Sequence, residues 1–260
     1  MKKVILFGNI PLGVKILKLL LKKTNISVEG VVCEKKSQQF RHHEFYEEGC
    51  VYDYAIKNNI KILETDDILH NYSNKDIFLG ISARNATILK TEIIDKFEKG
   101  IVNCHGGPLP QYRGVNSANY AILHNLNKFA GTIHYMTSEI DTGPIIGRKW
   151  FKVNKHDTVH DVFCKVELSL YKLIEENIDN IIEDKEVVKS QKYYIDRGEK
   201  VGYYNKNSIN KYKKVDINSQ FEEIYKITRA FDFPGKEPAF FEKDGVKIYL
   251  KTDYIKRVEI

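Results

Sequence analysis

Hydrophobic and polar positions alternate along the first half of the chain in blocks that predict strands followed by helices. Residues 4–7 are continuously apolar, which is typical of a strand buried on both faces of a sheet. A turn with two glycines follows, and the apolar positions in residues 14–21 predict a helix covered on most sides. Further strands are predicted at 28–33, 60–63 and 77–80, helices at 51–58 and 89–97, and a loop at 81–88. This alternation predicts an α/β fold with a doubly wound, Rossmann-like and mostly parallel sheet.

The second half contains the longest periodic segment and then changes character. After a predicted helix at 116–124 and a strand at 150–153, apolar positions between Val159 and Ile182 repeat about every 3.6 residues, which predicts a long helix with Asp157 as its N-cap. Beyond residue 186, paired tyrosines appear among glycines and lysines. A helix at 217–231 then precedes a β-hairpin with strands at 239–241 and 246–250. We therefore expect a main domain at residues 1–190 and a small C-terminal α+β subdomain at 191–260.

Composition narrows the class of protein. The chain of 260 residues carries 41 Lys and Arg against 35 Asp and Glu, a formal net charge of +6. The lysines are spread along the whole length, which favours anionic ligands. No block of basic residues resembles a nucleic-acid-binding arm, so we expect no nucleic acid partner. No stretch reaches the roughly 18 apolar residues of a membrane span, so we expect no membrane association.

Neither a metal nor a dinucleotide cofactor is predicted. The four cysteines are scattered, without the paired spacing that binds zinc, and are typical of reduced thiols in a cytoplasmic protein. The first loop, residues 8–13, lacks the G-x-G-x-x-G spacing of a dinucleotide site. We therefore expect no metal, NAD or FAD.

Candidate chemistry appears where a predicted buried strand ends in Asn103 and His105. A period of two residues places these two side chains on one face and points Cys104 to the opposite, buried face. Glycines and prolines follow directly, so we expect both polar side chains at the carboxyl edge of the sheet, where α/β folds bind ligands. Asp141 follows another apolar segment, residues 132–136, and is expected at a second strand exit.

Three motifs in this order resemble the signature of the folate-dependent formyltransferases, and the layout of the whole chain is similar to that of the nucleotide-sugar N-formyltransferases. The motifs are Asn103-x-His105, Leu109-Pro110-x-Tyr112-Arg113-Gly114 and Asp141-Thr142-Gly143. The resemblance implies transfer of a formyl group from 10-formyltetrahydrofolate to an amine, with no metal.

The resemblance also implies roles for individual residues. We expect the amide of Asn103 to donate to the developing oxyanion, His105 to carry the proton, and Asp141 to orient His105 or accept a proton through water. A histidine paired with a carboxylate is expected to be stabilised in its charged form. The residues expected to contact the folate are Ile88, Leu89, Glu139, Ile140 and Asp141. Those expected to contact the acceptor are Asn9, Ile10, Arg113, Tyr203 and Tyr204.

We predict the formyl acceptor by excluding substrate classes of the family that the chain resembles. Its members act on initiator methionyl-tRNA, on glycinamide ribonucleotide or on nucleotide-linked amino sugars. The tail is short for the tRNA class, and the first loop does not reproduce the phosphate loop of the ribonucleotide class. We therefore expect a nucleotide-linked amino deoxysugar, dTDP-linked rather than UDP-linked, as in lipopolysaccharide or O-antigen biosynthesis. The alternatives are a methionyl-tRNA formyltransferase and an inactive relative that only binds a ligand.

The tail leaves two interpretations open for its aromatic residues. Tyr203 and Tyr204 either stack on the base of a nucleotide or pack within the fold and at a dimer contact. The hairpin and the paired aromatics together exceed what a small subdomain can bury alone. We therefore also predict a homodimer formed through the tail.

Overall fold

A computed structural model describes residues 1–85 and 87–252. Its strands are β1 (Lys2–Phe7), β2 (Ile26–Val32), β3 (Ile62–Leu63), β4 (Leu79–Ser82), β5 (Ile101–His105), β6 (Arg113–Gly114), β7 (Lys128–Tyr135), β8 (Ile145–Lys152), β9 (Tyr203–Tyr204), β10 (Ala239–Lys243) and β11 (Val246–Leu250). Its α-helices are α1 (Pro11–Leu21), α2 (Val51–Lys57), α3 (Thr65–Asn71), α4 (Thr91–Ile94), α5 (Ser117–Leu123), α6 (Val159–Ile182), α7 (Gln191–Ile195) and α8 (Phe221–Phe231).

Seven of the strands form one central sheet in the order β3-β2-β1-β4-β5-β7-β8. The pairs from β3 to β5 are parallel, whereas β7 pairs antiparallel with both β5 and β8. The strand order reverses between β1 and β4, and such a switch point opens a ligand crevice at the carboxyl edge of a sheet. The predicted doubly wound, mostly parallel α/β fold is confirmed.

Two apolar clusters cover the two faces of this sheet. Alternate residues of β1 divide between them, since Leu6 belongs to the cluster with α1, α5 and α6, and Phe7 to the cluster around Ile93 and Phe97. Both faces of β1 are therefore buried, which explains its continuous apolar run. No helix among the described residues is long and apolar enough to cross a membrane.

Two element boundaries near the switch point differ from the prediction. Residues 81–82, predicted as loop, belong to β4, because Ser82 pairs with Phe7 on one side and Asn103 on the other. The helix predicted at 89–97 is only the short α4, since Lys90 is extended and Leu89 packs into the second cluster. Tertiary pairing and burial decided both boundaries over local preference.

The long helix α6 begins one residue later than its predicted cap implies. Thr158 is the N-cap, and it forms a capping box in which its side chain accepts from the Asp161 N–H and the Asp161 carboxylate accepts from the Thr158 N–H. Asp157 is therefore not the N-cap. Its carboxylate instead accepts from the Asn154 N–H and pairs with Lys165.

The tail is joined to the rest of the chain by pairing and by packing. Strand β9 pairs in parallel with β6, and Val215, Ala230 and Ala239 belong to the larger apolar cluster. The predicted hairpin is present as β10 and β11, joined by two residues with positive φ, Asp244 (52°) and Gly245 (77°). The helix predicted at 217–231 starts only at Phe221. The boundary at residues 190 and 191 stays a prediction, and the last part of the predicted subdomain, 253–260, lies outside the described residues.

Candidate active site

Strand β5 presents Asn103 and His105 on one face at its carboxyl end, as predicted. Cys104, between them, is buried on the opposite face within the larger apolar cluster. Burial raises the pKa of the Cys104 thiol to about 12, against a smaller opposing effect of Arg84. Cys104 is therefore a packing residue, and the polar chemistry of β5 belongs to its two neighbours.

Asp141 reaches these two side chains from the loop between β7 and β8. Its Oδ2 lies 3.3 Å from His105 Nδ1, and Asn103 Nδ2 donates to its Oδ1 over 3.4 Å. The Gly114 N–H donates to Oδ2 over 2.8 Å and fixes the carboxylate. Gly143 is needed in this loop because a Cβ there would lie 1.8 Å from the Tyr135 carbonyl oxygen. The structure thus brings together the three predicted catalytic residues.

The fourth member of this cluster, His134, was missed in the sequence. It lies on β7 directly opposite Asn103 in the antiparallel pairing, and its Nε2 is 3.2 Å from Asn103 Nδ2 and 3.5 Å from Asp141 Oδ1. Its Nδ1 lies 2.9 Å from the Tyr135 carbonyl oxygen. Nδ1 therefore carries the proton, which leaves Nε2 as an acceptor for the Asn103 amide. The available signal was alternation, because Thr132 and His134 share one face of β7.

The amide of Asn103 is held in one orientation from two sides. The Ser82 hydroxyl donates to its Oδ1 over 3.0 Å, and its Nδ2 faces the acceptors on His134 and Asp141. A flip of the amide would place its oxygen against the acceptors on His134 and Asp141, whereas the Ser82 hydroxyl could accept as well as donate. The N–H donors of Asn103 are therefore preorganised beside the carboxylate.

The charge state of His105 differs from the prediction. Burial lowers its pKa below the usual value of 6.5, and this outweighs Asp141 and the Tyr112 carbonyl, which both raise it. The expectation that Asp141 holds this histidine in its charged form is therefore wrong, because desolvation is the larger effect. The ring is neutral near pH 7.

Asp141 itself stays ionised across the whole physiological range. Burial raises its pKa, but His105, His134 and the Gly114 N–H together outweigh burial and hold the pKa at about 2. The site therefore combines a fixed negative charge with a neutral imidazole. Such a pair of groups with separated pKa values is typical of catalytic centres.

Arg113, predicted to bind the acceptor, is tied to the loop that carries Asp141. Its Nε and Nη2 both donate to Gln191 Oε1, at 3.0 and 2.7 Å. Gln191 Nε2 in turn donates to the carbonyl oxygens of Asp141 and Gly143. Gln191 opens the tail and was not predicted, yet it links Arg113 to the catalytic loop.

Asn9 and Ile10 follow β1 at the same edge of the sheet, one strand beyond β4. The Glu34 N–H donates to Asn9 Oδ1 over 2.6 Å, and Ile10 is the N-cap residue of α1. Both residues are half-buried. Their predicted contacts with the acceptor stay predictions.

The residues predicted to contact the folate differ in exposure. Ile88 is 73% exposed and Ile140 is 43% exposed, whereas Leu89 is buried and packs against Ile93 and Phe97. Glu139 is exposed at the start of the Asp141 loop. The structure thus offers two accessible apolar side chains, whereas Leu89 belongs to the core.

The two tyrosines of β9 have different surroundings. Tyr204 packs its ring against Tyr112 in a stacked arrangement, at 5.4 Å and 11°, and lies 4.1 Å from the ring of Tyr120. It also lines a cavity of about 460 Å³ with Trp150. Tyr203 is 58% exposed, so it is the freer ring for stacking on a nucleotide base.

Metal ligation receives no support from the described part of the chain. No group of three or more His, Cys, Asp or Glu side chains suited to a metal ion occurs in residues 1–85 and 87–252. The nitrogen and oxygen atoms of the central side chains are already in hydrogen-bond contact with one another. The polar cluster is therefore suited to proton transfer and hydrogen bonding rather than to coordination.

Comparison with known proteins identifies relatives of this chain. It is 36% identical over 133 residues to the methionyl-tRNA formyltransferase of Borreliella burgdorferi, a match that covers 49% of this chain and 42% of that protein. The chain thus matches less than half the length of this relative.

Two solved structures share the fold. The first is WlaRD, described as a sugar 3N-formyl transferase in the presence of dTDP and 5-N-formyl-THF, with a TM-score of 0.77, 25% identity and coverage of 95% of this chain and 85% of that one. The second is a 4-N formyltransferase from Francisella tularensis, with a TM-score of 0.77, 21% identity and coverage of 97% of both chains. A model of the formyl transferase family matches residues 1–177, well over half of the chain, and the chain therefore belongs to the formyl transferase family, as its three motifs predicted.

Proposed function

We propose that this protein transfers a formyl group from 10-formyltetrahydrofolate to the amino group of a nucleotide-linked amino deoxysugar, with dTDP preferred over UDP. The observation that carries the proposal is the cluster at the carboxyl edge of the sheet in which Asp141 lies 3.4 Å from Asn103 Nδ2 and 3.3 Å from His105 Nδ1. A binding module has no use for a neutral histidine held against an ionised carboxylate, whereas an acyl transfer to an amine requires such a pair.

The residues around the cluster fit a reduced folate. Ile88 and Ile140 offer exposed apolar surface, which suits the flat ring system of a pterin. When bound, 10-formyltetrahydrofolate supplies the formyl group, and the residues named here would hold its ring at the sheet edge.

The side chains of the cluster then divide the work. Asn103 Nδ2 exchanges its longer hydrogen bond, the 3.4 Å contact with Asp141 Oδ1, for one to the formyl oxygen as negative charge develops there during attack by the amine. His105 accepts the proton released by the amine at Nδ1, the nitrogen on the Asp141 side, and becomes an imidazolium. That cation is satisfied at once, because Asp141 Oδ2 and the Tyr112 carbonyl face its two nitrogens. His105 then gives this proton to the departing folate nitrogen as the bond between that nitrogen and the formyl carbon breaks. Asp141 stays ionised and orients the ring.

Three observations support the sugar nucleotide as acceptor. The net charge of +6 favours an anionic substrate. WlaRD, at 25% identity, is described with dTDP, and the chain and the Francisella tularensis enzyme cover each other almost completely. Exposed Tyr203 offers a ring on which a base can stack.

A methionyl-tRNA formyltransferase is the second candidate, and one observation favours it. Over 133 residues the chain is 36% identical to the Borreliella burgdorferi enzyme of that name. The match covers less than half of that protein, so it supports the shared formyl transfer chemistry more strongly than the shared acceptor.

A panel of acceptors tests the proposal directly. Purified protein is incubated with 10-formyltetrahydrofolate and with dTDP- and UDP-linked 3-amino and 4-amino deoxysugars, and products are identified by their increase in mass. We expect formylation of at least one dTDP-linked sugar and none with a His105→Gln variant. Formylation of charged initiator tRNA, with no reaction on any sugar nucleotide, would change the assigned acceptor to tRNA. The assignment of the catalytic cluster would stay the same.

We also propose a homodimer formed through the tail. The strand β11 exposes Val246 and Ile248 on one face of the hairpin and Tyr249 on the other, and Ile248 is 41% exposed. Phe221 and Ile217 are exposed nearby in the chain. An apolar surface of this kind is typical of a subunit contact.

A further inference from the structure

Arg84 follows β4 directly and has an unusual backbone conformation. Its φ is 55°, in the left-handed region that residues with a side chain rarely adopt. Backbone strain of this kind concentrates at functional sites. The guanidinium stacks on the ring of Phe163, 4.7 Å from its centroid. It also lies beside Gly106, the residue after His105, since a Cβ there would be 2.9 Å from Arg84 Nη1.

The charge of Arg84 has no partner within residues 1–85 and 87–252. No oxygen of those residues accepts a hydrogen bond from its guanidinium, and no carboxylate lies within ion-pair distance. Arg113 and Arg148, by contrast, bond to Gln191 and Glu199. A guanidinium whose donors meet no acceptor in the described part of the chain is available to bind an anionic ligand.

Glu167 lies near enough to influence this charge but is used elsewhere. It is fully buried, its Oε1 lies 2.8 Å from His43 Nδ1, and its Oε2 accepts from the Glu44 N–H over 2.9 Å. Burial lowers the pKa of Arg84, and Glu167 opposes that effect. The guanidinium remains charged, and no residue in 1–85 or 87–252 accepts a hydrogen bond from it.

The position of Arg84 indicates which substrate brings the anion. Arg84 lies close to Phe163 of α6 and to Cys104. Cys104 belongs to the apolar cluster on the face of the sheet that α1 and α6 cover, so Arg84 lies toward that face. Leu89, predicted to lie at the folate site, belongs to the cluster on the other face. Two substrates that meet at the sheet edge can approach from these two faces. The anion beside Arg84 is then carried by the formyl acceptor rather than by the folate.

We propose that Arg84 binds the diphosphate of the nucleotide-linked sugar, an inference that rests on the proposed function. The planar guanidinium matches two phosphate oxygens at once, and the stack on Phe163 presents that fork in a fixed orientation. The neighbouring Gly106 leaves room for it. The same contact would place the amine of the sugar next to His105, one residue away.

Calorimetric binding of dTDP and of folinic acid tests this proposal without turnover. We compare wild type with Arg84→Gln, Arg84→Lys and a matched control, Arg197→Gln, in which the lost guanidinium also stacks on a ring, that of Tyr193 at 3.6 Å. We expect Arg84→Gln to lower the affinity for dTDP at least about tenfold, which is the scale of one charge-assisted hydrogen bond. Arg84→Lys falls between it and wild type, and Arg197→Gln behaves as wild type.

Folinic acid shows whether the site remains folded and which anion Arg84 meets. Unchanged affinity for folinic acid together with weakened dTDP supports the proposal. Unchanged affinity for dTDP overturns the proposal. Weakened affinity for folinic acid also overturns it, because Arg84 would then bind the glutamyl carboxylates of the folate or stabilise the fold. If the wild-type protein formylates no sugar nucleotide, the proposed function fails. Inorganic pyrophosphate, which we expect Arg84→Gln to bind more weakly than wild type, then decides the role of Arg84 alone.

Discussion

His105 Nδ1 lies 3.3 Å from Asp141 Oδ2, while Nε2 of the same ring lies 2.6 Å from the Tyr112 carbonyl oxygen. Both ring nitrogens therefore face acceptors, and only the imidazolium can donate to both. Burial nevertheless lowers the pKa of this ring, so the resting form is neutral. The neutral ring donates to one of these acceptors, and it gains the second hydrogen bond when it takes a proton, which suits the acceptor of a proton during catalysis.

Removal of either polar side chain of β5 is expected to abolish most turnover. Asn103→Ala loses the donor to the developing oxyanion and His105→Gln loses the proton acceptor, so each should lower kcat by about 100-fold or more. Formyl transfer measured under saturating substrate checks this. Cys104→Ala on the same strand points to the opposite face and serves as the control with near wild-type kcat. Normal turnover in both variants would contradict the assignment.

His134 is expected to act as a positioning residue through Asn103. His134→Ala leaves the Asn103 amide without one of its acceptors, so kcat should fall about tenfold, less than for loss of the donor itself, with little change in KM. His134→Gln supplies an amide oxygen in a similar place and should recover much of the loss. If the glutamine variant recovers nothing, the role of His134 is packing alone.

NMR titration of the imidazole of His105 should report a pKa below 6.5, because burial is the largest influence on it. Asp141→Asn removes the strongest group that raises this pKa, so the value should fall further. Long-range proton–nitrogen spectra measure both values, and His105→Gln assigns the signal. A pKa above 6.5 in wild type, or an increase in the asparagine variant, would show that the carboxylate rather than burial controls this ring.

Acid should unfold the protein partly through Asp141. Its folded pKa of about 2 lies below the ordinary value of 3.8, so this carboxylate stabilises the fold above pH 3.8, and the contribution is lost as pH falls toward 2. A shift of this size corresponds to about 2 kcal/mol in the free energy of unfolding. His105 acts in the same direction below pH 6.5, since its folded pKa is also lowered.

Urea unfolding between pH 7 and pH 2 measures this effect. Asp141→Asn should flatten the dependence below pH 4. Asp244→Asn, in the exposed hairpin turn where asparagine is also favoured, should leave it unchanged. Equal slopes for wild type and Asp141→Asn would contradict the expectation.

The proposed homodimer should depend on the outer face of the hairpin. Ile248→Lys places a charge in the exposed apolar surface of β11 and should convert the dimer to a monomer at micromolar concentration. Val187→Lys places the same charge at an exposed apolar residue outside the tail and should leave the dimer intact. Sedimentation velocity distinguishes these states, and a monomeric wild type would remove the proposal.

Local sequence was sufficient for the order of the elements and for the identity of the central chemistry. Apolar runs and helical periods predicted most strands and helices, because these patterns are set by neighbours a few residues apart. Period two alone placed Asn103 and His105 together and Cys104 apart. The three motifs were sufficient to indicate the family.

The tertiary structure decided what depends on residues distant in the chain. His134 joins the site only because β7 pairs antiparallel with β5, and Gln191 only because the tail packs back onto Arg113. The neutral form of His105 follows from burial by surroundings that no local pattern reveals. The surroundings of Arg84, whose charge has no partner in the described part of the chain, likewise depend on where α6 places Phe163 and Glu167. Strand register, burial and charge pairing arise from long-range packing, whereas hydrophobic periodicity and the residue preferences of turns are determined by neighbouring residues.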